Sequence, residues 1–290
     1  MDAAIVIAFS YDRNSLQRPY IPGILIDIYY VFNYLKTLID QNIYIITDLS
    51  QHINITDIKE SIIDSSINFD ILNLMNTISP YLVNYTSKKQ ILEIIRKCCQ
   101  HRKKIFLYYT GHAFKNNILL PFSNSEVCFR YQNNNDSVIE FNFLRSIIST
   151  ISDKNAKIFS IFDCCNFTGF GLPYRMESGI YRLRSKNFIT QKFICISSTL
   201  SDEVSLGSKE GSLFTKVFFQ NLRGYRNIYD LVNLVSKECF SKFNQTSTVY
   251  SSYPDLKMIW RWLLFKDDVR VRLNLIGNYF IVKSDDLDPF

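Results

Sequence analysis

Only three histidines, His52, His101 and His112, occur in the 290 residues, and none of the seven cysteines belongs to a CxxC pair. That scarcity argues against zinc, which draws its ligands from clustered Cys and His. An odd number of cysteines without regular spacing also argues against a disulfide framework, so free thiols in a reducing compartment are expected. No apolar run reaches the roughly 18 residues of a membrane helix. The opening, MDAAIVIAFSYDR, lacks the basic start and long apolar core of a signal peptide, so the expected location is cytoplasmic. The charge excess of +6 is scattered, without basic motifs interleaved with aromatics, so neither nucleic acid nor membrane is an expected partner. No low-complexity linker divides the chain. We therefore expect one large-cored domain at residues 1–260, with 261–290 as an extension in which VRVRLNL and NYFIVK, joined by IGN, form a hairpin.

What is present is an alternation of short β-rich runs and longer helical patterns. AAIVIAFS, NIYIITD, KKIFLYYTGH, KIFSIFD and KFICISS read as strands. GILIDIYYVFNYLKTLID, SKKQILEIIRKCCQHR (opened by a Ser cap), SVIEFNFLRSIISTI, SLFTKVFFQNL and NIYDLVNLVSKECFSKF read as helices. Repeated strand-helix-strand units imply an α/β fold, a three-layer sandwich whose mostly parallel sheet is covered by helices on both faces. Ligands of such sheets bind beyond the carboxyl ends of the strands, so the side chains found there matter most.

Two strand ends stand out. KIFLYY runs into Thr110, Gly111 and His112; KIFSIF runs into Asp163, Cys164 and Cys165. A thiol is mostly protonated at neutral pH, and a neighbouring imidazole can stabilise the thiolate or take its proton as attack begins. Small residues nearby, Gly111, Ala113 and Gly169, let backbone N–H groups approach a developing oxyanion. Taken singly, such a cysteine is most often a small hydrophobe and such a histidine a turn residue. Together, in this order and 53 residues apart, they form a candidate nucleophile and base.

In these motifs, YTGHA (Tyr109 to Ala113) and DCCNFTG (Asp163 to Gly169), the sequence resembles the metacaspases, caspase-like cysteine peptidases whose signatures read YSGHG and DCCHSG. The spacing also agrees with caspases, whose histidine precedes the cysteine by about 50 residues. Weaker likenesses follow in family order: PGILIDIYYVFNYL with Gly23 and Asp27, IITD, NILLPF, ISSTLSDEVS and SLFTKVFFQNL.

The resemblance implies an endopeptidase that cleaves after Arg or Lys through an acyl-enzyme. Cys165 would be its nucleophile, His112 its base and acid, and the backbone N–H groups of Ala113 and Cys165 its oxyanion hole. Asp163 and Asp202 match acids of the pocket that receives the basic side chain. Protein or peptide substrates and a monomeric state are implied as well. No cofactor is required. The family's Ca²⁺ activation is a further implication, against which the thinned acids of SDEVSLG speak, since a Ca²⁺ site wants several oxygen ligands. Asn166 stands where the family has histidine, and NFTG is one residue longer than HSG. A caspase-like interaction scaffold with little turnover is the alternative, separated from the enzyme by whether Cys165 can be acylated. The basic segment from Gly171 to Lys192 reads as an exposed loop or, more sharply, as a self-cleavage loop.

Overall fold

The computed structural model describes residues 1–11, 20–39, 41–49, 71–121, 137–177, 180–225 and 227–254, and two short strands within 255–290. The parallel strands are β1 (Ala3–Ala8), β2 (Ile43–Thr47), β3 (Leu82–Asn84), β4 (Lys104–Thr110), β8 (Lys157–Asp163) and β11 (Lys192–Ser197). A small sheet of β5 (Ala113–Phe114), β6 (Asn117–Leu119) and β7 (Val138–Glu140) follows β4. After β8 come β9 (Tyr174–Glu177) and β10 (Ile180–Leu183); β12 (Gly207–Ser208) and β13 (Gly211–Ser212) pair as a separate two-stranded ribbon, and β14 (Thr248–Ser251) enters late in the chain. The main sheet runs in the order β10-β9-β14-β11-β8-β4-β1-β2-β3, with β14, β9 and β10 joined antiparallel.

The strands alternate their side chains between two cores. In β1, Ala4, Val6 and Ala8 join one apolar cluster and Ala3, Ile5 and Ile7 the other. The first cluster is covered by α1 (Ile24–Lys36), α2 (Ile71–Ile78), α5 (Leu213–Asn221) and α6 (Ile228–Phe243). The second is covered by α3 (Lys88–Cys99) and α4 (Phe141–Ile151). The caps are local: the Ser87 hydroxyl accepts from the Gln90 N–H, and the Asn227 side chain accepts from the Tyr229 N–H. Because both faces are covered, the central strands read as continuous apolar runs.

Three local expectations change. The helix expected from Ser137 begins at Phe141, because Val138 and Ile139 pair instead with Leu119 and Ile118 of β6. The basic segment after Gly171 is not one loop: it folds as the β9–β10 hairpin at the sheet edge, with Met176 buried, and only then runs as an irregular stretch over 184–191. That stretch feeds the amino end of β11, whereas Cys165 lies beyond the carboxyl end of β8. The third change is the late strand β14, for which the sequence reading assigned no element.

In the C-terminal extension, Leu273–Leu275 (β15) pairs antiparallel with Asn278–Phe280 (β16). The rest of 255–290, including the boundary expected at 260, lies outside the described residues, as does 51–70 with its sequon at Asn54. No helix among the described residues is long and apolar enough to cross a membrane.

Candidate active site

The register of the two central strands assembles the site. β4 and β8 are adjacent and parallel, and Thr110 is paired with Asp163, 53 residues later. His112 and Cys165 share that offset, so each stands two residues beyond the end of its strand, on the same sheet edge, with strand axes about 5 Å apart. Both side chains are half-buried.

The Cys165 thiol is held by the loop after β11. The Ser205 N–H donates to Cys165 Sγ at 3.3 Å, and the Ser205 carbonyl oxygen lies 3.8 Å from the sulfur. Burial pushes the thiol pKa up; the Ser205 N–H pulls it back, and the nearby Asp163 carboxylate adds to the rise. The thiol is therefore protonated at neutral pH. Cys164 faces the other way and is 1% exposed, with its pKa far up through burial, as befits a packed neighbour. All six described cysteines are free thiols.

Asp163 is 3% exposed, and its two oxygens accept from the Ser205 hydroxyl at 2.7 Å and the Thr215 hydroxyl at 2.6 Å. A second buried acid joins it. Asp27, in the first turn of α1, accepts from the Ser212 N–H at 2.8 Å and from the Thr110 hydroxyl at 3.4 Å. Its pKa is raised well above the usual carboxylate range, first by burial and then by the Asp163 charge. Among the described residues neither acid forms an ion pair. Asp202 lies on an exposed turn.

The loop carrying Ser205 is fastened twice. Glu203 Oε2 accepts from the Leu200 N–H at 3.0 Å and the Thr246 N–H at 2.7 Å, while the Glu203 carbonyl accepts from the Asn166 N–H at 3.0 Å. The Gln245 side chain donates to the Ser198 carbonyl at 3.0 Å and accepts from the Leu206 N–H at 3.3 Å. Ala113 opens β5 without a positive φ, so its N–H needs no glycine to be presented.

The family model for the caspase domain, peptidase C14, matches residues 39–258. The chain belongs to the caspase-domain family. Among solved structures, caspase-1 from Spodoptera frugiperda superposes with a TM-score of 0.50 at 13% identity, over 86% of each chain, a likeness of fold. Comparison with curated protein sequences finds no match.

Within this caspase domain the longer turn after Cys165 has a packing explanation. Phe167 is fully buried, stacked on Phe162 at 4.6 Å and edge-on to Phe141 at 4.8 Å. Thr168 then reaches across to the Asn116 side chain, tying this turn to the one that follows His112. Sequence reading missed Asp27 as a site residue, along with Ser205, Glu203, Gln245 and Tyr11. Asp27 had a signal, its place in the weak PGILID likeness; the others meet their partners only where distant loops converge, which leaves no local pattern. Among the described residues no three His, Cys, Asp or Glu gather as a metal cage.

Proposed function

We propose that this caspase domain is a cysteine endopeptidase of metacaspase type that cleaves after Arg or Lys. The observation that carries the reading is the shared register of His112 and Cys165 on adjacent strand ends, beside a buried pair of acids.

In this mechanism the Cys165 thiol, protonated at rest, loses its proton to His112 as sulfur attacks the scissile carbonyl carbon. The Ser205 N–H stabilises the developing thiolate. The tetrahedral oxyanion is received by the backbone N–H groups of Ala113 and Cys165. The imidazolium of His112 protonates the leaving amine, the carbon–nitrogen bond breaks, and a thioester remains on Cys165. Water, deprotonated by His112, then hydrolyses the thioester and restores the thiol.

The acids support the basic preference. Asp27 and Asp163 place two carboxyl groups in one desolvated spot where burial and the Asp163 charge raise the Asp27 pKa, and a guanidinium or ammonium beside them would offset that repulsion. Exposed Asp202 would add to the potential at the rim. A monomer fits the outer strand β10, whose exposed Arg182 discourages edge-to-edge pairing.

The test is hydrolysis of fluorogenic peptides with Arg, Lys or Asp before the reporter, with and without calcium, by wild type and by Cys165→Ala. Cleavage of the basic peptides that disappears in Cys165→Ala establishes the reading. No cleavage, together with no labelling of Cys165 by an Arg-directed electrophile, replaces it with the interaction scaffold.

A further inference from the structure

Tyr11, just past β1, has a backbone that its side chain disfavours. Its φ of 61° lies in the left-handed region, which a bulky residue keeps only where the surroundings enforce it. Asp48, fully buried beyond β2, does the enforcing. Asp48 Oδ2 accepts from the Tyr11 N–H at 2.8 Å, and Oδ1 accepts from the Ser10 N–H at 2.7 Å and the Ser10 hydroxyl at 3.1 Å.

What the enforced backbone achieves is contact with His112. The Tyr11 ring lies 4.6 Å from the imidazole, tilted by 34°, while the ring itself is 1% exposed. The Tyr11 hydroxyl accepts the His112 N–H at 2.8 Å and donates to the Leu119 carbonyl at 2.8 Å. Tyr109 holds the backbone on the other side of the same residue, its hydroxyl donating to the His112 carbonyl at 2.5 Å. The two hydroxyls sit 3.3 Å apart under Gly111. A Cβ on Gly111 would come within 2.9 Å of the Tyr11 oxygen and 2.8 Å of the Tyr109 oxygen, at a φ of +151°. The glycine is what lets the tyrosines close under the histidine.

From this we infer that Tyr11 is the positioning residue of His112: its hydroxyl fixes the backbone from which the imidazole projects, and its ring is the platform on which the imidazole rests. A tyrosine face within about 6 Å also favours a cation, so the platform stabilises the imidazolium that forms as His112 takes the thiol proton. The inference rests on His112 acting as the base.

The experiment uses the full chain as wild type, Tyr11→Phe, Tyr11→Leu and His112→Ala. It measures kcat and KM per titrated active site on an Arg peptide, and alkylation of Cys165 by iodoacetamide at pH 7. Tyr11→Leu, losing ring and hydroxyl, is expected to lower kcat about a hundredfold with KM within about twofold, as a displaced base would. Tyr11→Phe, which keeps the platform, should lose about tenfold in kcat and restore most of the alkylation rate that Tyr11→Leu loses. The nuclear magnetic resonance signal of the His112 Cε1 proton, assigned by its absence from His112→Ala, should move in Tyr11→Leu and hold in Tyr11→Phe.

Alkylation and kcat per titrated site that depend on His112 but are indifferent to both Tyr11 changes would overturn the inference alone. Indifference to His112→Ala would instead remove the base on which it rests. Should Tyr11→Leu fail to fold, Tyr11→Phe decides: wild-type kcat per titrated site with an unmoved KM rejects the hydroxyl's role, and the expected tenfold fall upholds it.

Discussion

Replacing Asp27 by Asn separates what this residue does for the fold from what it does for substrate. Its carboxyl is 1% exposed, accepts one firm N–H bond from Ser212, and feels the Asp163 charge. Because its folded pKa is raised above the unfolded value of about 3.9, the folded chain keeps a proton that the unfolded chain releases. Asp27 therefore weakens the fold increasingly as pH climbs from about 4 toward that raised pKa. Asparagine keeps the acceptor for Ser212 and carries no such proton. The variant should gain stability over wild type across the neutral range, with the gain vanishing near pH 4, as read from urea midpoints at several pH values. On an Arg peptide the opposite holds: losing one partner of a desolvated charge pair removes about 2–4 kcal/mol, which is roughly thirtyfold to a thousandfold in kcat/KM. Any residual cleavage of a neutral peptide should be unchanged. Equal destabilisation at every pH, with Arg cleavage within twofold of wild type, would refute both halves and leave Asp27 a structural hydrogen-bond acceptor.

Phe167→Ala should cost about 3–5 kcal/mol, the usual range for emptying a fully buried aromatic site, and should lower kcat in the folded fraction because Cys165 lies two residues away; denaturant titration and active-site titration read the two effects. Gly169→Ala puts a Cβ 2.1 Å from the Tyr250 ring at a φ of +83°, so a loss of about 2–4 kcal/mol in the same titration is expected, with Gly207→Ala, in open surroundings, near neutral. Self-cleavage after Arg184 or Lys186 should be second order in protein, because 184–191 joins the amino end of β11 and a seven-residue strand, about 20 Å, separates that edge from Cys165. A rate independent of concentration in a dilution series would contradict the topology.

Much of the architecture was legible because both faces of the sheet are covered: KIFLYY, KIFSIF and KFICIS had to be continuous apolar runs, and α3, α5 and α6 open on side-chain caps. The short edge elements were not. β14 is only TVYS and β9 begins one residue after a proline, so neither offers a period long enough to recognise; they become strands because β11 presents an open edge. The site divides the same way. His112 and Cys165 were visible because a parallel register turns a sequence offset into a spatial neighbour. Tyr11, Ser205 and Glu203 were invisible because their partners lie 37 to 101 residues away on other loops, so what each side chain or backbone group meets depends on where those loops converge.

NFTG is one residue longer than the metacaspase signature it resembles, and its packing shows how such a departure beside the proposed nucleophile can be absorbed instead of transmitted. An inserted residue in an exposed turn would leave the turn free to shift, and a displacement of about 1 Å at a nucleophile costs on the order of a hundredfold in rate. Here the turn places Phe167 in a cluster with Phe162, Phe141, Phe170 and Tyr250, and Phe162 belongs to the strand that delivers Cys165. Asn166, at a φ of 52°, reverses the chain and donates its N–H to the Glu203 carbonyl, so the residue next to Cys165 is bound to the loop that holds the thiol. The turn thus holds Cys165 through a hydrogen bond one residue on and an apolar anchor two residues on. On this arrangement the length of the turn is a weaker guide to turnover than the integrity of the anchor, which is why Phe167 and not Asn166 is the position where a substitution should silence the site.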